Sequence, residues 1–551
     1  MKIRHTLMLL FVMLLFAGNS SAAECKKEQP RIVNIINFIR LLEPRDPVNI
    51  SEDVLFDAVK QEASMLKQYN LPGTFLIQYD ALIVPRYQQL LKEGLSEGSE
   101  VGAWWEITQP HVEAAGLKWR GRFPWDWHAH VGFATGYTPR EREILVDVYM
   151  AKFKEIFGVY PRSVGAWYID AHTLAYMHDK YGVIASCNCR DQYGTDGYTL
   201  WGGYWNQGYY PSRHNAYMPA QNAAEQIDVP IFRMLGSDPI YQYDTSVGGV
   251  QNVITLEPAC HGVGDNSKWV DWYFRTMFTQ PCLEYNYVHV GQENSFTWDR
   301  IRGGYEVQIP RVADYRTQGI VRVETLAESG EWFRQNYPHT PATAVTAMED
   351  HNGNPVRSIW YNSRFYRANM MWVHDSFRFR DIHFFDERIT SDYLTEPGTS
   401  NKCTFLTMPL VDGFLWSTQQ EWAGLRLVEI SSDGTTREVA LGAPEIEERG
   451  QTLIIRCTPE GGACQITLSE SAIEFRYNAP DALWALELGV AHGKQMPFES
   501  ISTKSIEARF NSHDYTIELH RGHFGRVVGL NSGLRIYPDG NAIILDCNLL
   551  Q

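Results

Sequence analysis

The chain has 551 residues, of which 44% are hydrophobic and 13% aromatic, and it carries a formal net charge of −16 at pH 7. This apolar content is enough to bury a large core, which excludes an intrinsically disordered protein. We find no Gly-X-Y period, long heptad run or internal repeat, so collagen, coiled-coil and solenoid architectures are excluded as well. The 65 acidic residues against 49 basic ones repel nucleic acid, which excludes a nucleic-acid-binding function.

Residues 1–23 have the pattern of a signal peptide. They begin with basic residues, continue with an apolar run at 7–16, and end in small residues at Ala23. The apolar run is shorter than the about 20 residues that a membrane-spanning helix needs, so no transmembrane anchor is predicted. Cys25 would suit a lipoprotein, but the residue before it is Glu24 rather than a small one. We therefore expect export, to the periplasm or the medium, after cleavage near Ala23.

Residues 24–338 alternate β-like apolar runs with amphipathic helical stretches. This alternation is typical of a mainly parallel sheet whose functional loops follow the carboxyl ends of the strands. The predicted strands cover residues 31–38, 73–79, 100–105, 163–169, 183–189, 229–235 and 286–291. The predicted helices include residues 52–69, 85–93, 139–157, 171–181 and 267–279. Seven such strands indicate an α/β fold with a (β/α)7-type barrel.

The pattern changes after about residue 336. A His-Thr-Pro segment at 339–341 resembles a linker, and short alternating strands follow it, separated by turns such as Asp-Gly at 433–434 and 539–540. Little helical periodicity remains in this part of the chain. We therefore predict a barrel catalytic domain at 24–338 and an all-β sandwich domain at 339–551.

Acidic residues end most of the predicted barrel strands. They are Glu43, Asp80, Glu106, Asp170, Asp191 and Glu293. Carboxylates gathered at one rim repel one another, which separates their pKa values and lets one act as an acid while another stays ionised. Glu106 and Glu293 are favoured because each closes an apolar strand. Asp170 has a second interpretation, since an Asp directly before a helix is often its N-cap.

Side chains that suit sugar binding are concentrated around the same predicted rim. Aromatic rings stack on the apolar faces of sugars and exclude water. Many of these rings lie in long segments at 117–136 and 195–220, and loops of this length are usually functional. The predicted substrate-binding residues are Trp104, Trp105, Trp125, Trp127, His128, His130, Trp201, Trp205, Arg213 and His214. The predicted substrate is a poly- or oligosaccharide, although we expect some of the rings to be core residues instead.

A metal site is the competing chemistry. Asp126, His128 and His130 occupy alternate positions, so they lie on one face if the segment is extended. Such a set suits zinc or iron and would serve a carbohydrate deacetylase or esterase. The segment lies in a Trp-rich loop, however, where histidines also suit hydrogen bonds to sugar hydroxyls. The preferred interpretation has no metal and no cofactor.

Four short blocks carry a family resemblance. They are Gly-Thr-Phe-Leu at 73–76, Ser-Glu-Val-Gly-Ala at 99–103, Gly-Val-Tyr-Pro at 158–161 and Val-Gly-Ala-Trp at 164–167. Their order resembles that of the glycoside hydrolase/deacetylase superfamily, which includes polysaccharide deacetylases and the family-57 and family-38 glycoside hydrolases. The resemblance covers about residues 30–335 and implies a seven-stranded (β/α) barrel.

The chain departs from the deacetylase branch of that superfamily at two places. The deacetylases follow the Glu-Val-Gly block with a His-x-x-x-His metal pair, where this chain has Trp104, Trp105 and Glu106. Their Asp-Asp pair at the end of the first strand is replaced by Asn-Phe-Ile-Arg at 37–40. The resemblance therefore does not imply a deacetylase zinc site.

The segment from Gly165 to Asp170 is instead similar to the Gly-x-Trp-x-x-Glu block of the family-57 hydrolases, which carries the nucleophile on the fourth strand. By this resemblance Asp170 would be the nucleophile. The family's acid/base is an Asp on the seventh strand, and Glu293 stands at the comparable place. Both positions differ from the family in residue type.

Together these observations predict an exported glycoside hydrolase. Asp170 would attack the sugar or activate water, Glu293 would protonate the leaving oxygen, and Glu106 would stabilise charge or bind a sugar hydroxyl. Two alternatives stay open. One is a metal-dependent carbohydrate deacetylase or esterase that uses the Asp126–His130 segment, and the other is a non-catalytic glycan-binding protein.

Overall fold

The computed structural model of the chain describes residues 29–41, 50–479, 482–526 and 533–550. The predicted signal peptide, its cleavage site near Ala23 and the strand-end residue Glu43 lie outside these ranges. Across the described residues, we find no helix with both the length and the apolar character needed to cross a membrane.

A mainly parallel sheet with helices around it forms the first part of the structure. The strands of this part are β1 (Arg31–Ile39), β2 (Thr74–Ile77), β3 (Glu100–Trp104), β4 (Ser163–Gly165), β5 (Ala185–Asn188), β6 (Tyr198–Trp201), β7 (Gly208–Tyr209), β8 (Ile231–Arg233), β9 (Asn286–Val290) and β10 (Arg322–Glu324). All of them belong to the sheet except β6. The order is β10-β1-β2-β3-β4-β5-β8-β7, with β9 also beside β1. The seven predicted strands are confirmed as β1 to β5, β8 and β9, all parallel to their barrel neighbours.

The helices of this part surround the sheet. They are α1 (Glu52–Gln68), α2 (Tyr79–Leu82), α3 (Pro85–Glu93), α4 (Gln109–Ala114), α5 (Ala129–Gly132), α6 (Pro139–Phe157), α7 (Ala171–Tyr181), α8 (Ser267–Thr279), α9 (Trp298–Thr317) and α10 (Leu326–Asn336). Helix α6 begins and ends at the predicted residues because both of its ends are capped. Thr138 and Glu141 form a capping box at its start, and Gly158 ends it in the left-handed conformation at φ 79°.

Strand β1 links β9 to β2 and thereby closes most of the barrel. Its first residues pair with β9, and its last residues pair with β2. Strands β8 and β9 are instead linked through Gln207, the residue before β7: its Nε2 donates to Asn286 Oδ1 of β9 at 2.7 Å, and its carbonyl oxygen accepts from Arg233 N of β8 at 3.2 Å. The sheet is thus a nearly closed barrel, and the carboxyl ends of its parallel strands share one rim.

The second part consists of β-strands, which pair antiparallel to one another except for β15. They are β11 (Thr343–Ala347), β12 (Val356–Asn362), β13 (Tyr366–Val373), β14 (Ser376–Phe384), β15 (Cys403–Leu406), β16 (Met408–Asp412), β17 (Gly424–Ile430), β18 (Thr436–Glu438), β19 (Glu445–Arg449), β20 (Thr452–Cys457), β21 (Ala463–Ser469), β22 (Ala472–Asn478), β23 (Leu483–Gly489), β24 (Phe498–Ile501), β25 (Ser505–Phe510), β26 (His513–Arg521), β27 (His523–Arg526), β28 (Leu534–Tyr537) and β29 (Ala542–Asp546).

These strands form two large sheets that pack face to face. One has the order β11-β12-β13-β14-β17-β23-β28-β27, and the other β19-β20-β21-β22-β29-β26-β25-β24. Phe379 of the first sheet and Phe475 of the second lie in one apolar core, with ring centroids 6.4 Å apart. The predicted fold, a barrel followed by a β-sandwich, is confirmed. The boundary at residue 338 stays a prediction.

Buried charges join the barrel to the sandwich. Arg367 of β13 forms ion pairs with Asp191 and with Asp381, the latter at 2.8 Å. Arg233 at the end of β8 pairs with the same Asp191 at 2.9 Å. Strand β6, which follows β5 along the chain, pairs in parallel with β15 from the second part. The loops after β5 are therefore held between the two parts.

Candidate functional site

A cavity of about 680 Å³ opens at the carboxyl-end rim of the barrel. Residues that follow β1, β4, β5, β8 and β9 contribute to its wall. Its aromatic side chains are Trp125, Trp127, Phe133, Trp167, Tyr198 and Phe296. Its charged side chains are Arg40, Arg190, Arg300, Asp196, Glu257 and Glu293. A concave site with aromatic walls and a few convergent charges suits a small polar ligand such as a sugar.

Glu293 is positioned by the close approach of two backbones. Gly291 has φ 119°, and a Cβ at this position would lie 2.1 Å from the carbonyl oxygen of Ile36, so only glycine fits. The next residue, Gln292, accepts a hydrogen bond at its carbonyl oxygen from Phe38 N. These contacts to β1 fix the backbone that carries the Glu293 side chain over the rim.

The Glu293 carboxyl group is held on one side only. Its Oε1 accepts a hydrogen bond from Arg40 Nη2 at 2.9 Å, whereas its buried Oε2 has no partner. Burial raises the pKa of Glu293 to about 7; the charge of Arg40 acts against this shift and that of Glu106 adds to it. At neutral pH the group is therefore close to half-protonated, as a general acid needs.

Glu106 shares Arg40 with Glu293, and both of its carboxylate oxygens are occupied. Oε1 accepts from Arg40 Nη1 at 3.3 Å and from Trp167 Nε1 at 2.8 Å, and Oε2 accepts from Gln78 Nε2 at 2.7 Å. The guanidinium of Arg40 also lies over the Trp125 ring, 4.6 Å from its centroid. Glu106 thus fixes a cation and an indole ring of the wall.

Asp196 and Glu257 bring two further carboxylates to the wall. Glu257 is engaged by hydrogen bonds, from Thr255 Oγ1 to Oε1 and from Gln292 Nε2 to Oε2, each at 2.9 Å. Asp196 is exposed on a tight turn at φ 55°. Desolvation by the surrounding wall raises its pKa, and its charge in turn adds to the upward shift at Glu293. Asp196 is therefore an accessible second carboxylate close to Glu293.

The structure places Asp170 away from this cavity. The residue is 1% exposed and is the N-cap of α7, where its side chain accepts from Thr173 N at 2.9 Å and Thr173 Oγ1 at 2.6 Å. It also forms an ion pair with the buried Arg142 at 2.9 Å. Both carboxylate oxygens accept hydrogen bonds within the fold, and this geometry favours a structural role over that of a nucleophile.

Four of the predicted substrate-binding tryptophans lie in the interior instead. They are Trp104, Trp105, Trp201 and Trp205. Trp104 stacks on Phe38 at 4.3 Å within the barrel. Trp205 stacks on Trp360 of the sandwich, also at 4.3 Å. Their large apolar area serves packing. Most of the 195–220 segment is buried, and its first residues, 195–198, line the cavity.

Arg213 and His214 also lie outside the cavity wall. Arg213 forms a surface ion pair with Asp179 at 3.2 Å, and His214 lies 2.9 Å from a carboxylate oxygen of Glu225. Among the predicted substrate-binding residues, Trp125 and Trp127 are the two that line the cavity. Both belong to the 117–136 segment.

The Asp126–His130 segment does not present a metal-binding set. Both carboxylate oxygens of Asp126 accept from Arg122, at 2.8 and 2.7 Å. Burial acts to raise the pKa of Asp126, but these hydrogen bonds outweigh it and hold the pKa well below its usual range. His130 Nδ1 is 3.1 Å from the carbonyl oxygen of Ser400. In the ranges that the structure covers, no three His, Cys, Asp or Glu side chains come together to hold a metal ion.

Several wall residues were not identified from the sequence. Arg40 directly follows β1, and Arg190 is the second residue after β5. A strand-end rule that included cations as well as carboxylates would therefore have found both. Asp196 and Glu257 lie in irregular loops, and Arg300 lies at the start of an unpredicted helix. No periodic signal marks these three.

Comparisons with known proteins agree at the level of the fold. No family model matches the chain. No curated protein matches it either. It is similar to the structure of a candidate glycoside hydrolase/deacetylase from Parabacteroides distasonis, with 14% identity over 69% of this chain and 90% of that one, at a TM-score of 0.50. The chain shares the fold of this structure over the part that is covered. The predicted resemblance is thereby confirmed for the fold.

Two further structures show weaker similarity. A candidate polysaccharide deacetylase from Mycobacterium smegmatis has 12% identity over 57% of this chain and 93% of its own, at a TM-score of 0.30. The 4-alpha-glucanotransferase from Thermococcus litoralis has 9% identity over 94% and 98%, at a TM-score of 0.28. At these scores neither structure indicates which residues form the site or what chemistry they perform.

Proposed function

We propose that the protein is a carbohydrate-active hydrolase that cleaves glycosidic bonds of a poly- or oligosaccharide, with Glu293 as the general acid. The observation that carries this proposal is the Glu293 carboxyl group, whose unpartnered Oε2 lies in the wall of an aromatic cavity. A buried carboxyl group with a pKa near 7 and a free oxygen is suited to donate a proton at neutral pH.

The reaction divides between two carboxyl groups. Glu293 gives its proton to the glycosidic oxygen as the bond to the anomeric carbon breaks, and Arg40 then stabilises the carboxylate that remains. Asp196 faces the same cavity and acts on the anomeric carbon or on the attacking water. We move this role from Asp170 to Asp196 because Asp170 is consumed by its helix and by Arg142.

The cavity wall supplies the sugar-binding surface. Trp127 and Trp167 offer ring faces for the apolar side of a pyranose, and Trp125, which is 4% exposed, adds to the bulk that excludes water from the proton-transfer site. Two of these rings are held by charged groups: Arg40 lies over Trp125, and Glu106 accepts from Trp167 Nε1. This fixed arrangement favours a bound sugar over a flexible apolar ligand.

A glycan-panel digestion tests the proposal. Wild type, Glu293→Gln and the matched control Glu100→Gln are incubated with the panel, with and without EDTA, and reducing ends and acetate are measured. Glu100 is also a glutamate with a pKa raised by burial, but it begins β3 at the opposite end of the barrel. We expect new reducing ends from wild type and Glu100→Gln, none from Glu293→Gln, and no effect of EDTA.

The other outcomes separate the alternatives. Acetate release, or activity lost in EDTA, would replace the hydrolase with a metal-dependent deacetylase. Binding without any product, unaffected by Glu293→Gln, would identify a glycan-binding protein. We also propose that the chain is exported, on the strength of its N-terminal sequence, and Edman sequencing of the mature protein is expected to begin at Glu24.

A further inference from the structure

Arg190 is a buried cation without a carboxylate partner. It is 1% exposed, its Nη1 donates to the carbonyl oxygen of Asp191 at 2.7 Å, and its buried Nε has no hydrogen-bond partner. The other arginines of the described chain that are buried to this degree each pair with an aspartate. They are Arg142, Arg233, Arg367 and Arg380. Since an unpaired buried charge is costly, the exception at the cavity wall indicates a ligand that completes the pair.

Arg300 is a second cation of the wall, exposed rather than buried. It lies in the first turn of α9, and its guanidinium lies over the Phe296 ring, 4.7 Å from the centroid. It has no ion pair within the part of the chain that the structure describes, whereas Arg302 of the same helix pairs with Glu306 at 3.5 Å. A cation in the first turn opposes the helix dipole, so its position is not explained by helix stability.

The carboxylates of the wall do not neutralise these two arginines directly. Glu293 pairs with Arg40, and Glu257 accepts from Thr255 and Gln292. Asp196 forms no ion pair with either arginine in the described structure, although Arg190 lies close enough to act on its pKa. Two guanidinium groups without a carboxylate partner in the described structure therefore line the cavity that also holds Glu293.

We propose that the substrate is an acidic glycan, whose carboxylate or sulfate substituent is bound by Arg190 and Arg300. The planar guanidinium matches the two oxygens of either anion with paired hydrogen bonds. The chain has a net charge of −16, so long-range attraction does not favour an acidic polymer, and the preference must come from these local contacts. This inference rests on the proposed function, since it names the substrate class of the same site.

Calorimetry with matched ligands tests the inference. Uronate oligosaccharides from pectin, alginate and hyaluronan are each compared with their carboxyl-reduced neutral forms, and chondroitin sulfate oligosaccharides with their desulfated forms. All binding is measured in a Glu293→Gln background, which prevents turnover. The variants are Arg300→Met, Arg190→Lys and the control Arg302→Met. Arg302 shares the helix with Arg300 but does not line the cavity.

We expect at least one acidic oligosaccharide to bind about 10-fold more tightly than its neutral form, which corresponds to about 1.4 kcal/mol. Arg300→Met and Arg190→Lys should remove this preference without weakening the neutral form, and Arg302→Met should leave it unchanged. Arg300 is exposed, so Arg300→Met stays informative even if Arg190→Lys fails to fold. The uronate and sulfate pairs show which anion is bound.

Three results would overturn the inference: no binding of any acidic probe, equal affinity for acidic and neutral forms, or equal weakening of both by the arginine variants. Its failure differs from failure of the hydrolase proposal. Cleavage of neutral glycans that depends on Glu293 would keep the hydrolase and reject the acidic substrate. Acidic binding that depends on Arg300, with no bond cleaved by wild type, would keep the ligand class and reject the hydrolase.

Discussion

Arg40 Nη2 lies 2.9 Å from Glu293 Oε1, and Nη1 of the same guanidinium lies 3.3 Å from Glu106 Oε1. One cation thus forms ion pairs with two buried carboxylates, so its positive charge compensates Glu293 only in part. Burial consequently prevails, and the pKa of Glu293 rises to about 7. The pH dependence expected of the proposed hydrolase follows from this arrangement.

We expect kcat to fall as pH rises through about 7, because Glu293 then loses the proton that it donates. Arg40→Gln should move this limb to higher pH, since the charge of Arg40 lowers the pKa of Glu293 in the wild type. The measurement is a kcat–pH profile of wild type, Arg40→Gln and Glu100→Gln. An unmoved limb in Arg40→Gln would contradict the assignment of that limb to Glu293.

The same shift predicts a loss of stability as pH rises from about 4.5 to about 7. The folded-state pKa of Glu293, about 7, exceeds the ordinary value of 4.5, so the folded protein binds its proton more tightly than the unfolded chain. The resulting stabilisation is complete below pH 4.5 and is lost as pH rises through 7. Its full size is about 3 kcal/mol, at 1.36 kcal/mol per pKa unit.

Urea unfolding at pH 5 and pH 8 measures this effect. Glu293→Gln should lose less free energy of unfolding between the two pH values than wild type does. Some dependence should remain, because burial also raises the pKa of Asp80 to about 7. Identical pH dependence in wild type and Glu293→Gln would show that Glu293 is ionised at much lower pH.

Asp170→Asn separates a structural carboxylate from a catalytic one. The change leaves the buried Arg142 without its counter-charge, which we expect to cost about 3 kcal/mol of unfolding free energy. The kcat of the folded enzyme should stay within about 3-fold of wild type. Glu293→Gln should show the reverse, with normal melting and no turnover. A folded Asp170→Asn enzyme that has lost all activity would restore Asp170 as the nucleophile.

Trp127→Ala tests the aromatic wall. Trp127 is half-buried and lines the cavity, so its removal should raise KM or the ligand Kd by about 10-fold and leave kcat nearly unchanged. Trp332→Ala is the matched control, because Trp332 is also partly buried but lies in α10 outside the cavity wall. Equal effects of the two changes would indicate general destabilisation rather than lost sugar stacking.

The sequence predicted the barrel well because its signals are local. Parallel strands buried on both faces appear as apolar runs, as β1 does, and capping residues mark helices such as α6. Helix α9 was missed, since it contains Pro310 and its apolar residues follow no clear stripe. The strand-end rule placed Glu293 and Glu106 near the cavity for the same local reason.

The rest of the site depends on contacts between distant residues. The residues next to Trp205 in sequence do not indicate that it stacks on Trp360. Those next to Asp170 do not indicate that it forms an ion pair with Arg142. Sequence reasoning therefore placed both at the rim. Asp196 reaches the cavity through a turn at φ 55°, a conformation that no periodic pattern reveals.

The pairing of β6 with β15 limits which parts of this chain recombination could exchange. Asp196 lies just before β6, whose partner strand forms some two hundred positions later in the chain. A recombinant that replaced the C-terminal sheets with an unrelated module would remove this partner and also the Arg367 contact to Asp191. We therefore expect the two parts to be inherited as one unit, and any relative that keeps this cavity to keep both.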